Sequence, residues 1–137
     1  MTSPIAIFWP MIAQVLLTYA IYILVSVRRI GAVKAGTAKP SDFKVPFVDP
    51  EPSASVVRNL ANQFELPVLF YVACISLYVT GGAGTAAVAV AWAFVLSRAA
   101  HAYVHVTSNR VGLRRRLFIV SLLLNMAQFV LLAVHIA

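Results

Sequence analysis

Two short groups of polar residues lie at the edges of very apolar segments, and the first has residue types that suit a small charged ligand. It comprises Arg58, Asn62 and Glu65. At about 100° per helical residue, these three side chains fall within roughly a 60° arc of one helix face. The first group therefore forms a narrow polar stripe at the edge of an apolar segment. A guanidinium binds a carboxylate through forked hydrogen bonds, whereas a lone carboxylate suits an ammonium group.

The second group follows spacings of three, four and four and consists of Arg98, His101, His105 and Asn109. These residues lie within about 80° of one helix face. Charged groups at membrane depth are costly and usually line a cavity or a pathway. Only one carboxylate accompanies the nearby arginines, which are Arg58, Arg98, Arg110 and Arg114. A closed structural network would be closer to neutral, so the excess of positive charge predicts an anionic ligand.

These residues also allow two other interpretations. Glu65 and Arg98 are candidates for a buried ion pair with a purely structural role. His101 and His105 have the i, i+4 spacing of metal ligands. No third ligand is apparent near them, so no metal site is predicted.

The composition places these polar groups in an integral membrane protein. Of 137 residues, 61% are hydrophobic and 11% are charged, and the mean hydropathy is +0.88. A soluble domain averages about 25% charged residues. The one cysteine, Cys74, excludes an intrachain disulfide framework and a cysteine-based zinc site. The net charge of +7 does not indicate nucleic acid, because the basic residues flank apolar segments, where they meet lipid headgroups or small anions.

Four apolar runs predict an all-α bundle of four transmembrane helices that forms one domain over residues 1–137. The expected spans are about 6–27, 56–79, 85–107 and 116–137. Residues 28–55 hold four of the seven prolines, which favours an extended loop. Residues 80–84, TGGAG, predict a tight turn.

The basic residues also predict an orientation. All eleven Lys and Arg residues lie in or beside the first and third connectors, and the termini and the TGGAG turn carry no charged side chain. By the positive-inside rule, both basic connectors face the cytoplasm and both termini face away from it.

The two polar motifs resemble those of the MAPEG family, the membrane-associated proteins in eicosanoid and glutathione metabolism. The second-helix signature is matched by Arg58-x-x-x-Asn62-x-x-Glu65 followed by Pro67. The third-helix pattern of the microsomal prostaglandin E synthase branch is matched by Arg98-x-x-His101-x-x-x-His105, followed by Arg110 and Arg114. The family's basic pair after the first span is matched by Arg28-Arg29. The resemblance covers the whole chain.

This resemblance implies a left-handed four-helix bundle that assembles as a homotrimer, with glutathione bound between subunits near the cytoplasmic face. The implied glutathione-binding residues are Arg28, Arg29, Arg58, Asn62, Glu65, Arg98, His101 and His105. Arg114 is the implied stabiliser of the glutathione thiolate, and Arg110 is its nearest competitor. The implied activity is that of a glutathione transferase or peroxidase. Its second substrate is a hydrophobic electrophile or hydroperoxide that enters through a lipid-facing cleft, and membrane lipids are a further expected partner.

Three departures from the family pattern weaken the case for an eicosanoid substrate. His105 stands where the family often has Tyr, Leu66 alone separates Glu65 from the following proline, and Arg115 stands where the prostaglandin branch commonly has Ser. The Ala- and Val-rich composition and short loops favour a bacterial member in the inner membrane, with periplasmic termini.

Two other functions stay open. One is a non-catalytic MAPEG-fold protein that serves as a small structural or lipid-binding subunit. The other is a transporter or channel component. The outer half of the spans has few polar residues, which argues against a transporter or channel. The notable candidates there are Gln14, Ser76, Asn125 and Gln128.

Overall fold

The computed structural model describes residues 3–45 and 48–137, and these contain five α-helices and no strand. The helices are α1 (Phe8–Lys34), α2 (Glu51–Asn62), α3 (Leu66–Val79), α4 (Thr85–Val106) and α5 (Val111–Ile136). Single 3₁₀ turns lie at Pro4–Ile7 and Pro40–Phe43. Because α2 and α3 follow one another as a single span, four segments are long and apolar enough to cross a membrane. The predicted all-α bundle with four spans is confirmed.

The first loop is shorter than the sequence predicts, because the residues expected at its two ends belong to α1 and α2. α1 continues to Lys34 and α2 already begins at Glu51, so the loop covers 35–50 instead of 28–55. Proline density is a poor guide here because Pro50 is the N-cap of α2 and Pro52 lies in its first turn. Proline is tolerated in a first turn, where its missing N–H would have no helical partner.

α5 likewise begins earlier than expected, at Val111 instead of about residue 116. Three arginines therefore lie within its first turns, namely Arg114, Arg115 and Arg116. A long arginine side chain can carry its charge to the membrane surface while its methylenes cover apolar neighbours. The extra turns bring these arginines alongside the end of α4.

A break between α2 and α3 interrupts the second span, which the sequence predicts as one helix. α2 ends at Asn62, and α3 starts at Leu66 with Glu65 as its N-cap residue. Pro67 is the cause, because it has no N–H for the carbonyl of Gln63 and its ring would clash with that carbonyl in a continuous helix. The break leaves Glu65 exposed at the edge of the bundle.

α4 lies at the centre of the bundle. In an apolar stretch of 18 residues in each span, 56% is buried for α4, against 17% for α5 and 22% for the first span. Small buried residues on α4, such as Ala87 and Ala91, let its neighbours approach closely. Deeper in the bundle, the rings of Phe70 and Phe94 stack with centroids 4.4 Å apart. The outer faces carry large apolar side chains suited to lipid, among them Trp9, Leu16, Ile23, Leu96 and Val134.

The first loop is tied to α1 by an ion pair. Arg29 donates from Nε and Nη2 to the two carboxylate oxygens of Asp49, at 2.8 and 2.7 Å. Ser53 in α2 donates to the same carboxylate at 2.8 Å, and the Asp49 side chain is fully buried. The hydrogen bonds from Arg29 hold the pKa of Asp49 below its usual range, although burial acts in the opposite direction. This latch fixes the start of α2 against the end of α1.

Candidate functional site

Five predicted site residues from three helices meet in one cleft of about 320 Å³. They are Arg58 and Asn62 from α2, His101 and His105 from α4, and Arg114 from α5. Val111, Arg115 and Phe118 complete the lining. The volume lies at the lower end of the range typical of small-molecule sites.

A second cleft, of about 360 Å³, lies directly beside the first and shares Arg58 and Asn62 with it. Glu65 lines this second cleft, with Ala54, Val57 and Ala61 as its apolar wall. One ligand lying across α2 would therefore meet Arg58 between a carboxylate on one side and the histidines on the other.

Arg98 lies beneath the first cleft and is completely buried. Its Nη2 donates to the backbone carbonyl of Asn62 at 2.9 Å. Its Nε and Nη1, together with Nδ1 of His101, have no hydrogen-bond partner among the described residues. The structural alternative, an ion pair between Glu65 and Arg98, is not formed; the ion pair present in the described part of the chain joins Arg29 to Asp49.

Two asparagines of α2 hold His105. Asn59 Nδ2 lies 3.2 Å from His105 Nδ1, and Asn62 Nδ2 lies 3.5 Å from the same atom. The His101 and His105 rings meet edge to face with centroids 5.7 Å apart. His105 is thus oriented by α2 although it belongs to α4.

Asn109 connects the end of α4 to the start of α5. Its φ of 46° lies in the left-handed region, which Asn tolerates better than most residues. Its N–H donates to the Val104 carbonyl at 2.7 Å, and its Oδ1 accepts from Arg114 Nη1 at 2.7 Å. Asn109 therefore ends one helix and anchors an arginine at the rim of the cleft.

Three of the predicted site residues neither line a cleft nor lie directly beneath one. Arg110 is the exposed N-cap residue of α5. Arg28 is exposed and lies 3.5 Å from the Val106 carbonyl, and Arg29 is engaged by Asp49. The other seven lie at the two clefts or directly beneath them, namely Arg58, Asn62, Glu65, Arg98, His101, His105 and Arg114.

Three buried amides lie next to the site, those of Gln14, Asn59 and Gln63. Sequence reasoning missed Asn59 and Gln63 and named Gln14 only as a polar residue in the outer half of the spans. Gln14 of α1 bonds to Gln63 at 3.0 Å, and Gln63 bonds to Asn59 at 3.2 Å. A usable signal was present, because Asn59 and Gln63 are four residues apart and share a helix face. The charged residues on the neighbouring arc obscured it.

The electrostatics of the site favour an anion. Glu65 is the one carboxylate among the described residues that line either cleft, whereas Arg58, Arg114 and Arg115 all carry positive charge. The N-terminus of a helix already bears partial positive charge, and basic residues there are unfavourable for the helix itself. Their presence in the first turns of α5 concentrates positive potential at the cleft.

Comparison with known proteins identifies the family of this chain. The model of the MAPEG family matches residues 7–134, a range that includes every residue lining the two clefts. No curated protein and no solved structure matches the chain. The resemblance predicted from the two polar motifs is confirmed, and this chain belongs to the MAPEG family.

Proposed function

We propose that the protein is a glutathione-dependent membrane transferase or peroxidase that acts on a hydrophobic electrophile or hydroperoxide. The observation that carries this proposal is the pair of adjoining clefts, which offers several guanidinium groups and one carboxylate. Glutathione has the complementary set, with two carboxylates, one ammonium group and one thiol. Membership of the MAPEG family is consistent with such an activity.

The unpartnered donors beneath the cleft support this ligand. Arg98 has two buried guanidinium nitrogens without an acceptor among the described residues, and a buried charge left unpaired costs several kcal/mol. A ligand carboxylate that accepts forked hydrogen bonds from Arg58 in the first cleft would also be attracted by the charge of Arg98 beneath it. In the adjoining second cleft, Glu65 balances the ammonium group.

Arg114 is the proposed catalytic residue. The bound thiol supplies the nucleophile, and a free thiol titrates near 8.5. A guanidinium beside the sulfur favours the thiolate at neutral pH. Arg114 lines the cleft and is held by Asn109, whereas Arg110 lies outside it. This geometry favours Arg114 over Arg110.

The proposed assembly is a homotrimer with glutathione between neighbouring subunits near the cytoplasmic face. Arg28 is exposed and donates only from Nη2, to the Val106 carbonyl at 3.5 Å, so its other N–H groups can reach the ligand of an adjacent subunit. Arg29 is the weaker candidate, because Asp49 already occupies its guanidinium. Val111 and Phe118 provide an apolar side of the cleft on which a membrane-dissolved electrophile can approach.

The proposal is tested by an ultraviolet difference titration of the purified protein with glutathione at neutral pH. We expect a thiolate band in the wild type, its loss in Arg114→Ala and its retention in Arg110→Ala. Loss in Arg110→Ala with retention in Arg114→Ala would reverse the assignment. If the wild type gives neither a band nor thermal stabilisation by glutathione, the proposed activity is wrong and a non-catalytic subunit becomes the better interpretation.

A further inference from the structure

A chain of three buried amides leads from α1 through α2 to the site histidine. Gln14 Nε2 donates to Gln63 Oε1 at 3.0 Å, and Gln63 Nε2 donates to Asn59 Oδ1 at 3.2 Å. Asn59 Nδ2 then lies 3.2 Å from His105 Nδ1. All four side chains are at most 2% exposed. The contacts therefore form one continuous line inside the bundle.

The backbone fixes the direction of this line. Gln63 Nε2 also donates to the backbone carbonyl of Asn59, at 3.3 Å. A carbonyl can only accept, so the NH₂ group of Gln63 must face Asn59. The Asn59 side chain therefore turns its oxygen to Gln63 and its NH₂ group to His105.

The direction of the chain determines where the neutral imidazole of His105 carries its hydrogen. Because the NH₂ group of Asn59 donates to Nδ1, Nδ1 is the acceptor and the ring hydrogen is on Nε2. No described residue hydrogen-bonds to Nε2, and His105 lines the first cleft. That leaves the Nε2–H group for whatever occupies the cleft.

Gln14, at the α1 end of the line of amides, argues against a purely structural network. Gln14 Oε1 has no partner among the described residues, although a buried acceptor left unpaired costs about 1–3 kcal/mol. Apolar side chains of similar size would fill this space without that cost. The cost is understandable if the chain serves to orient the ring at its other end.

We propose that Asn59 is a positioning residue that holds His105 in the Nε2–H tautomer, with Gln63 and Gln14 fixing the orientation of Asn59. His105 then donates a hydrogen bond from Nε2 to the anionic ligand in the cleft. The identity of that ligand rests on the proposed function, whereas the tautomer does not.

The first test is ¹⁵N nuclear magnetic resonance of the ligand-free protein in bilayers, with labelled histidine rings. Substitution of each of the three histidines in turn assigns the signals. We expect the wild-type His105 ring at neutral pH to be neutral, with its hydrogen on Nε2. A hydrogen on Nδ1, or on both nitrogens, would overturn the proposal from the wild-type measurement alone.

The second test is Asn59→Asp, compared with Asn125→Asp as the matched control. Asn125 is also a buried asparagine, bonded to Gln128 at 3.5 Å on α5. A carboxylate only accepts, so Asn59→Asp should move the His105 hydrogen to Nδ1, and Asn125→Asp should leave it on Nε2. An unchanged tautomer in Asn59→Asp would overturn the proposal.

Glutathione affinity tests the consequence for binding. Asn59→Met removes the shorter of the two contacts to His105 Nδ1 without adding charge. We expect about a five-fold weaker affinity, because only the contact from Asn62 Nδ2, at 3.5 Å, then holds the ring. Asn125→Met should bind as the wild type does, and equal affinities in the two variants would overturn the role in binding. If the wild type binds no glutathione but Asn59→Asp still reverses the tautomer, the proposed function is wrong and the tautomer assignment is supported.

Discussion

Arg98 is the residue whose surroundings depart furthest from what stability alone would select. It is completely buried, one nitrogen bonds to the Asn62 carbonyl, and two nitrogens have no partner among the described residues. Replacing a buried ion by an apolar side chain of similar volume is often neutral or stabilising by about 1–4 kcal/mol. A residue kept in spite of that cost indicates a function that needs its charge.

We therefore predict that Arg98→Met separates stability from ligand binding. Without glutathione, the midpoint of thermal unfolding should be unchanged or higher, because loss of the unpaired charge offsets the lost bond to Asn62. With glutathione, the stabilisation seen in the wild type should disappear. The exposed Arg28 supplies a control, because Arg28→Met should alter the ligand-free midpoint little. Full stabilisation of Arg98→Met by glutathione would contradict the prediction.

At the scale of elements, the break between α2 and α3 determines where Glu65 lies. Glu65 shares the second cleft with Arg58, as a common helix face predicts, but the break makes it the N-cap residue of α3 and places it outside both helices. Pro67 enforces this arrangement. The residues of the second helix motif thus serve two clefts.

We predict that Pro67→Ala extends helical structure across 63–65 and weakens glutathione binding. The substitution restores an N–H for the Gln63 carbonyl, so the Cα chemical shifts of these residues should become helical. Pro52→Ala is the matched control, because Pro52 lies in the first turn of α2 with no helix before it to join. The prediction fails if residues 63–65 keep their non-helical shifts in Pro67→Ala.

The latch between Arg29 and Asp49 predicts a pH dependence. Because the folded pKa of Asp49 is lowered, its contribution is present above the ordinary carboxyl pKa of about 4 and is lost as the pH falls through the folded value. Asp49→Asn should cost about 1–3 kcal/mol at pH 7, and this difference from the wild type should shrink in acid.

Thermal unfolding of both proteins between neutral and acidic pH measures this effect. Asp42→Asn is the control, because Asp42 is an exposed carboxylate of the 3₁₀ turn that accepts the Lys39 backbone N–H at 2.8 Å. Its substitution should have the smaller effect at neutral pH. A difference between Asp49→Asn and the wild type that stays constant with pH would count against the latch.

Sequence alone predicted the four spans and most residues of the candidate site, for identifiable physical reasons. Long apolar runs predict membrane spans directly. A charged or ionisable residue beside such a run, such as Arg58 or His101, is easily recognised as a candidate site residue. The ends of the helices were harder to predict from the sequence. Pro52, for example, lies in the first turn of α2 and does not end a helix there. The amide chain was hidden since Gln14 and Gln63 meet only when α1 packs on α2.

At the scale of the whole molecule, the four spans give the chain two chemically different ends. At one end lie the first loop, the clefts and the arginines of α5. At the other, His135 Nε2 donates to the Thr80 carbonyl at 2.9 Å, which joins the end of α5 to the end of α3. All eleven Lys and Arg residues belong to the first end. This asymmetry is the basis of the proposed orientation.

The orientation predicts which positions a membrane-impermeant maleimide can reach. Cys74 is buried, and Cys74→Ala gives a background without thiols. In that background, Ser41→Cys in the first loop and Ser108→Cys between α4 and α5 should be labelled from the cytoplasmic side. Ser3→Cys and Ala137→Cys should be labelled from the opposite side. Intact cells and inverted vesicles expose one side each, so labelling of Ser41→Cys and Ala137→Cys from the same side would contradict both the orientation and a cytoplasmic glutathione site.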